Sequence, residues 1–140
     1  MNLNEAFPRS PRDTMSGLVH IPRMIDKARA ARQNNLGEYI FPCPIDEIIL
    51  EFLKTDSEEW VRLVNSRSEK LIGQWIANKC SHYHTKEIES TNKKILELQP
   101  DNEDRWKHFI NLRDMIDSSR TDVSTWVNLI DLEEGRLQSR

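Results

Sequence analysis

The chain has 140 residues, of which 37% are apolar and 31% charged, and a formal net charge of −3. That length suffices to bury a core as one domain. The charge balance argues against generic nucleic-acid binding, which needs many cations set against phosphates, and no run approaches the ~20 apolar residues of a membrane span.

Met1-Asn-Leu-Asn-Glu5 has neither the basic start nor the apolar centre of a signal peptide. Cys43 and Cys80 are therefore expected as free thiols in the cytoplasm. Charge is spread unevenly, with six basic and three acidic residues in 1–35 against fourteen and twenty in the rest. A basic head folded on an acidic body accounts for this, and so does a small pocket for one anion.

The elements read as helical throughout, with capping signals at most starts. Ser10-Pro-Arg-Asp13 predicts a short helical turn ending near Gly17, with Asp13 in the acidic place of a capping box. A second helix opens at Pro22 and runs to about Asn35, with Gly37 as its stop. Met24, Ile25 and Ala28 share one of its faces with Ile21, while Arg23, Asp26, Lys27 and Ala30 share another. Glu38–Phe41 is expected to be extended because Pro42 follows.

A third helix from Pro44 or Ile45 is expected to bury Ile48, Ile49, Phe52 and Leu53. A fourth follows Asp56 or Ser57, and a fifth follows Ser68 with Leu71, Ile72, Trp75 and Ile76 inward. Cys80–His84 is a polar connection before a sixth helix capped by Thr85. Pro100-Asp-Asn102 breaks that helix and opens a seventh, and the last follows Asp122 or Ser124. Trp60, Trp75, Trp106 and Trp126 fall one to a helix within apolar stripes, and all four are expected in the core. The fold class is all-α: a single compact domain of about seven or eight short helices, with a basic Pro-rich block (1–46) packed on a helical body (47–140).

Chemistry concentrates between Arg9 and Asp46, which hold four of the six prolines and six basic side chains. Arg12, Arg23, Lys27 and Arg29 could converge on a carboxylate or phosphate, with His20 and Tyr39 shaping the site. Asp26 could instead neutralise Arg23 or an arginine of the Arg9–Arg12 turn, which would make the basic set an ion-pair network. Cys43, at or just before the start of the third helix, is the candidate nucleophile, because the helix end favours thiolate. His20 would be its base, oriented by Asp26 or Asp46. Cys80, His82 and His84, with His108 or His20, lack any standard zinc spacing, so no metal is expected. No cofactor is expected either, since phosphate loops and dinucleotide glycines are missing. Asp131–Glu134 reads as a solvated helix end or a mate for the basic block.

Five segments carry a family resemblance: Pro8-Arg-Ser-Pro-Arg12, His20-Ile-Pro-Arg-Met-Ile-Asp-Lys-Ala-Arg29, Leu36-Gly-Glu-Tyr39, Cys43-Pro-Ile-Asp46 and Trp126-Val-Asn-Leu-Ile-Asp-Leu-Glu-Glu134. Together they resemble the uncharacterised bacterial group known as domain of unknown function family 5069, over nearly the whole chain. Ile45 stands where Leu is common, and Glu133-Glu134 where Asp often stands. The resemblance implies one soluble, mostly helical domain and no particular activity. The residues themselves favour a cytoplasmic module that binds a small anionic molecule or an acidic partner. The alternatives are an enzyme using Cys43 with His20, and a homodimeric interaction protein without a ligand.

Overall fold

The computed structural model describes residues 1–137. Among them the chain forms seven helices and one two-stranded hairpin, so the all-α expectation holds. None of these helices is long and apolar enough to cross a membrane. Contacts divide the chain into two compact units, Met1–Asn92 and Lys93–Arg140.

The first unit opens differently from the expected helical turn. Ser10 and Asp13 do bond reciprocally, the Asp13 amide to the Ser10 carbonyl at 3.1 Å and the Ser10 amide to Asp13 Oδ2 at 3.2 Å. The chain then turns away into β1 (Thr14–Met15) and β2 (Leu18–Val19), paired antiparallel with Thr14 opposite Val19. Ser16 and Gly17 both have positive φ, 53° and 82°, as a two-residue hairpin turn of the primed type requires. The local capping pattern lost to this turn, which leads straight into the next helix.

Helix α1 (Ile21–Arg32) carries Pro22 in its first turn, as expected. It ends on Asn34, left-handed at φ 59°, and not on Gly37. The Asn34 amide bonds the Ala31 carbonyl and the Asn35 amide bonds the Ala30 carbonyl, which together make a Schellman stop. Gly37 serves another purpose, since a Cβ there would lie 3.0 Å from Asn4 Oδ1 and 3.1 Å from the Leu3 carbonyl oxygen. Helices α2 (Pro44–Phe52), α3 (Ser57–Ser66) and α4 (Glu69–Cys80) follow. Asp56 and Ser68 cap α3 and α4 through their side chains, as the sequence suggests.

These elements enclose a core of Leu18, Ile21, Met24, Ile25, Ala28, Ile49, Leu53, Trp60, Ile72 and Ile76. Helix α2 buries Ile45 and Leu50 where Ile48 and Phe52 were expected, and those two are only half-buried. Of the four tryptophans, Trp60 alone is fully buried; Trp75, Trp106 and Trp126 keep part of their surface in solvent. The Trp60 indole N–H donates to the Met24 carbonyl at 3.1 Å, tying α3 to α1.

Helix α5 (Thr85–Leu96) contains the division between the units. Helices α6 (Glu103–Asp117) and α7 (Trp126–Glu133) start from the side-chain caps Asn102 and Thr125. In the second unit Phe109 stands edge-on to both Trp106 and Trp126, with ring centroids 5.5 and 5.0 Å away. Val123 and Leu129 complete this small core. The acidic end of α7 is not solvated as expected. Asp131 and Glu134 are buried, and both accept from Arg136.

Candidate functional site

The hairpin delivers His20 to the start of α1 in a left-handed conformation, φ 75°, which costs a residue with a Cβ about 1–2 kcal/mol. Its ring is 1% exposed. Nε2 lies 2.6 Å from Asp46 Oδ1. Asp46 is the third residue of α2, and it is turned inward by a capping box whose other half is Cys43. The Cys43 amide donates to Asp46 Oδ2 at 2.9 Å. Lys27, two turns along α1 from His20, donates to the same Oδ2 at 2.5 Å and lies 3.5 Å from Cys43 Sγ.

A four-residue cluster results, with His20, Lys27 and Asp46 buried and Cys43 half-buried. One donor atom from each of His20, Cys43 and Asp46 lies within 4.8 Å of the other two. That is a metal-type donor set, but the Lys27 ammonium already bonds its carboxylate, and a cation beside it would meet that charge.

Burial opposes the Asp46 charge. The His20 hydrogen bond, the nearby Lys27 ammonium and the Cys43 amide overcome that penalty and hold the carboxyl well below the usual carboxylate range. Burial also pushes the His20 imidazole below its ordinary 6.5, against the pull of Asp46 and with the help of the Lys27 and Arg23 charges. A neutral His20 beside an ionised Asp46 carries its proton on Nε2 and donates it to Oδ1. Nδ1 is then a bare acceptor, and it is buried without a hydrogen-bond partner among the described residues.

The two depressed groups have one sign. Each contributes stability that is full above its unfolded pKa and is lost as pH falls below it. His20 therefore sets a limb beginning near 6.5, and Asp46 a second beginning near 3.8. Urea midpoints taken between about pH 7.5 and about pH 5 are expected to fall, by at most about 1.4 kcal/mol per pH unit for one proton. A flat profile there would show that His20 is not buried neutral.

The basic residues separate into two groups. Arg9 grips Asp26 with two guanidinium bonds, of 3.1 and 3.0 Å, and a backbone bond of 2.8 Å. It also pairs with Glu69, as does Arg29 at 3.6 Å. This is the ion-pair network weighed from sequence, and Asp26 takes Arg9 as its mate. Arg23 and Lys27 are both under 5% exposed. The segment joining α1 to α2, which includes the cis Phe41–Pro42 bond, lays aromatic rings over both. Tyr39 lies 5.4 Å from the Arg23 guanidinium carbon and Phe41 lies 5.9 Å from Lys27 Nζ. Arg23 also donates to the Arg9 carbonyl at 3.2 Å.

The structure thus brings His20, Lys27 and Cys43 together, sets Tyr39 on Arg23, and leaves Arg12 exposed on the N-terminal turn with Arg29 on Glu69. Of the two carboxylates expected near His20, Asp46 meets its ring, while Asp26 is held by Arg9. The signal was the spacing Cys43-Pro-Ile-Asp46, which places an acid at the third helical position. A surface depression of about 300 Å³ lined by Ala31, Phe41, Ser57, Glu58 and Val61 offers a carboxylate and no cation, so it does not suit an anion.

Cys43 caps its helix, as the sequence suggests, yet burial and Asp46 push its thiol up, against the lowering expected of a helix start. Alkylation of Cys43 by iodoacetamide at neutral pH, followed by peptide mass spectrometry, is expected to run slower than that of glutathione. A faster rate would revive the nucleophile. The Cys80–His84 connection is held by Tyr83, whose hydroxyl donates to the Phe52 carbonyl at 2.6 Å and whose ring stacks on Phe52. His82 and His84 are exposed, and Cys80 is buried.

No curated protein matches the chain. The model of one family, described as domain of unknown function DUF5069, matches residues 5–136. That span takes in every residue of the cluster and all seven helices, and the chain belongs to this family.

Proposed function

We propose that the chain is a cytoplasmic module that binds one small anionic molecule carrying its own O–H or N–H donor, beside His20. The observation that carries this reading is the buried Nδ1 of His20, which has no partner among the described residues while the other polar groups of its cluster are bonded. Arg23 and Lys27 stand close enough to act on the charge of His20. A hydroxycarboxylate or a hydrogen phosphate would supply a donor to Nδ1 and negative charge to these cations. Both side chains are too buried for an acidic protein surface to reach, which favours a small molecule over a partner. The Tyr39 and Phe41 rings would close over it, and the exposed Arg12 would draw anions toward the block.

Thermal unfolding with inorganic phosphate and with glycolate tests the reading. Ligand at a hundred times Kd stabilises by about 2.7 kcal/mol. The gain is expected to vanish in Arg23→Ala while the far-ultraviolet circular dichroism of that variant stays helical. No gain from either anion, together with an unmoved His20 imidazole nitrogen resonance, would sink it. The homodimer alternative draws on α6, where Leu112, Met115 and Ile116 form an exposed apolar stripe. Light scattering that gives twice the chain mass of 16.5 kDa would favour it.

A further inference from the structure

We propose that Lys27 and Cys43 form a covalent sulfur–nitrogen bond when the protein meets a hydroperoxide, which makes the pair a reversible oxidation site. The juxtaposition that carries this is Lys27 Nζ at 3.5 Å from Cys43 Sγ, with both residues bonded to one atom, Asp46 Oδ2. Lys27 is fixed on α1 and Cys43 on the cap of α2, so the shared carboxylate holds nitrogen and sulfur at a set separation. Cys43 is half-buried while Lys27, His20 and Asp46 are buried. Cys43 is thus the one member of the cluster that keeps part of its surface in solvent, and the nucleophile nearest its sulfur is the Lys27 amine. Cys43 and Cys80 are both free thiols in this structure.

The step balances without a further reagent. The Cys43 thiolate attacks a peroxide oxygen, so a sulfur–oxygen bond forms and the oxygen–oxygen bond breaks. The departing hydroxide takes a proton from the Lys27 ammonium and leaves as water. The freed amine then attacks sulfur, a nitrogen–sulfur bond forms, and the sulfur–oxygen bond breaks. Its oxygen leaves with the amine proton as a second water. Sulfur loses two electrons, the peroxide gains them, and the thiol proton goes to solvent. Because burial pushes the thiol up, the first step is slow at neutral pH and quickens as pH rises. The product also removes the Lys27 charge, which leaves Asp46 with the His20 Nε2–H and the Cys43 amide as its donors. The inference requires no ligand and stands apart from the binding reading.

The test uses the full chain with Cys80→Ala, since a Cys43–Cys80 disulfide would give the same mass change. Treatment with hydrogen peroxide is expected to leave the chain lighter by two hydrogen atoms. Trypsin should then fail to cleave after Lys27, a peptide should join residues 27 and 43, and dithiothreitol should restore the starting mass. Adding Lys27→Arg is expected to leave Cys43 as a sulfenic acid that dimedone traps, or as sulfinic acid. Sulfinic acid on Cys43 with normal cleavage after Lys27 would overturn the proposal, as would an unchanged chain. The same mass loss in the Lys27→Arg protein would overturn it too. If that variant fails to fold, the linked peptide from the Cys80→Ala chain still decides.

Discussion

Replacing Asp46 with alanine is expected to cost about 3–5 kcal/mol, read as the shift of a urea transition at neutral pH. The carboxylate is 0% exposed and serves three donors at once: the His20 Nε2–H, the Lys27 ammonium and the Cys43 amide. Removing it strands a buried ammonium, and that stranding, more than the lost attraction, sets the size of the effect. Against a typical total of about 5–15 kcal/mol, the variant would sit near the edge of folding. Lys27→Met combined with Asp46→Leu removes both charges together and is expected to be milder than Asp46→Ala alone. A loss below about 1 kcal/mol in Asp46→Ala would show that water reaches the cluster.

Trp60→Ala is expected to be as severe, about 3–5 kcal/mol, because the side chain is wholly enclosed between α1 and α3. It contacts Trp75 with ring centroids 6.1 Å apart and holds the Met24 carbonyl through its indole N–H. Trp60→Phe keeps most of the apolar contact and loses that bond, for about 1 kcal/mol beyond the packing change. Trp75→Ala should cost less than Trp60→Ala, since Trp75 is only half-buried. Equal thermal shifts for the two alanine variants would mean that burial is not what separates them. Because α1 also carries Arg23 and Lys27, Trp60→Ala should loosen the site along with the core.

The helices were legible because their signals are local. Asp56, Ser68 and Asn102 each cap the helix that follows them, and Pro22 and Pro44 sit in first turns. The hairpin at Ser16–Gly17 was missed because Ser10-Pro-Arg-Asp13 looks like a helix start, and nothing within four residues tells a capping turn from a β-turn. Periodicity marks which face of a helix is apolar and says little of how deeply that face is covered. Trp60 and Trp75 accordingly read alike and turned out different. The meeting of His20 with Asp46 spans 26 residues and depends on the path of the α1–α2 connection, which no spacing rule encodes. Asp131 and Glu134 were misjudged for a related reason, since Arg136 covers them only after the chain reverses at Gly135, φ 75°.

Asp46 caps the backbone that begins α2 and is also the counter-charge for α1. Oδ2 accepts both the local Cys43 amide and the distant Lys27 ammonium, and Oδ1 takes the His20 Nε2–H, so one carboxylate serves a local task and a distant one. The first turn of α2 is therefore expected to be steadied by the docked α1, and the buried lysine of α1 by that turn. Helix initiation and tertiary docking are here expected to be one cooperative event. Hydrogen exchange at the Cys43 amide, which is bonded to Asp46 Oδ2, is the gauge of that event. It is expected to open together with the core amides of α1, in one step, and not with the fraying ends of the other helices.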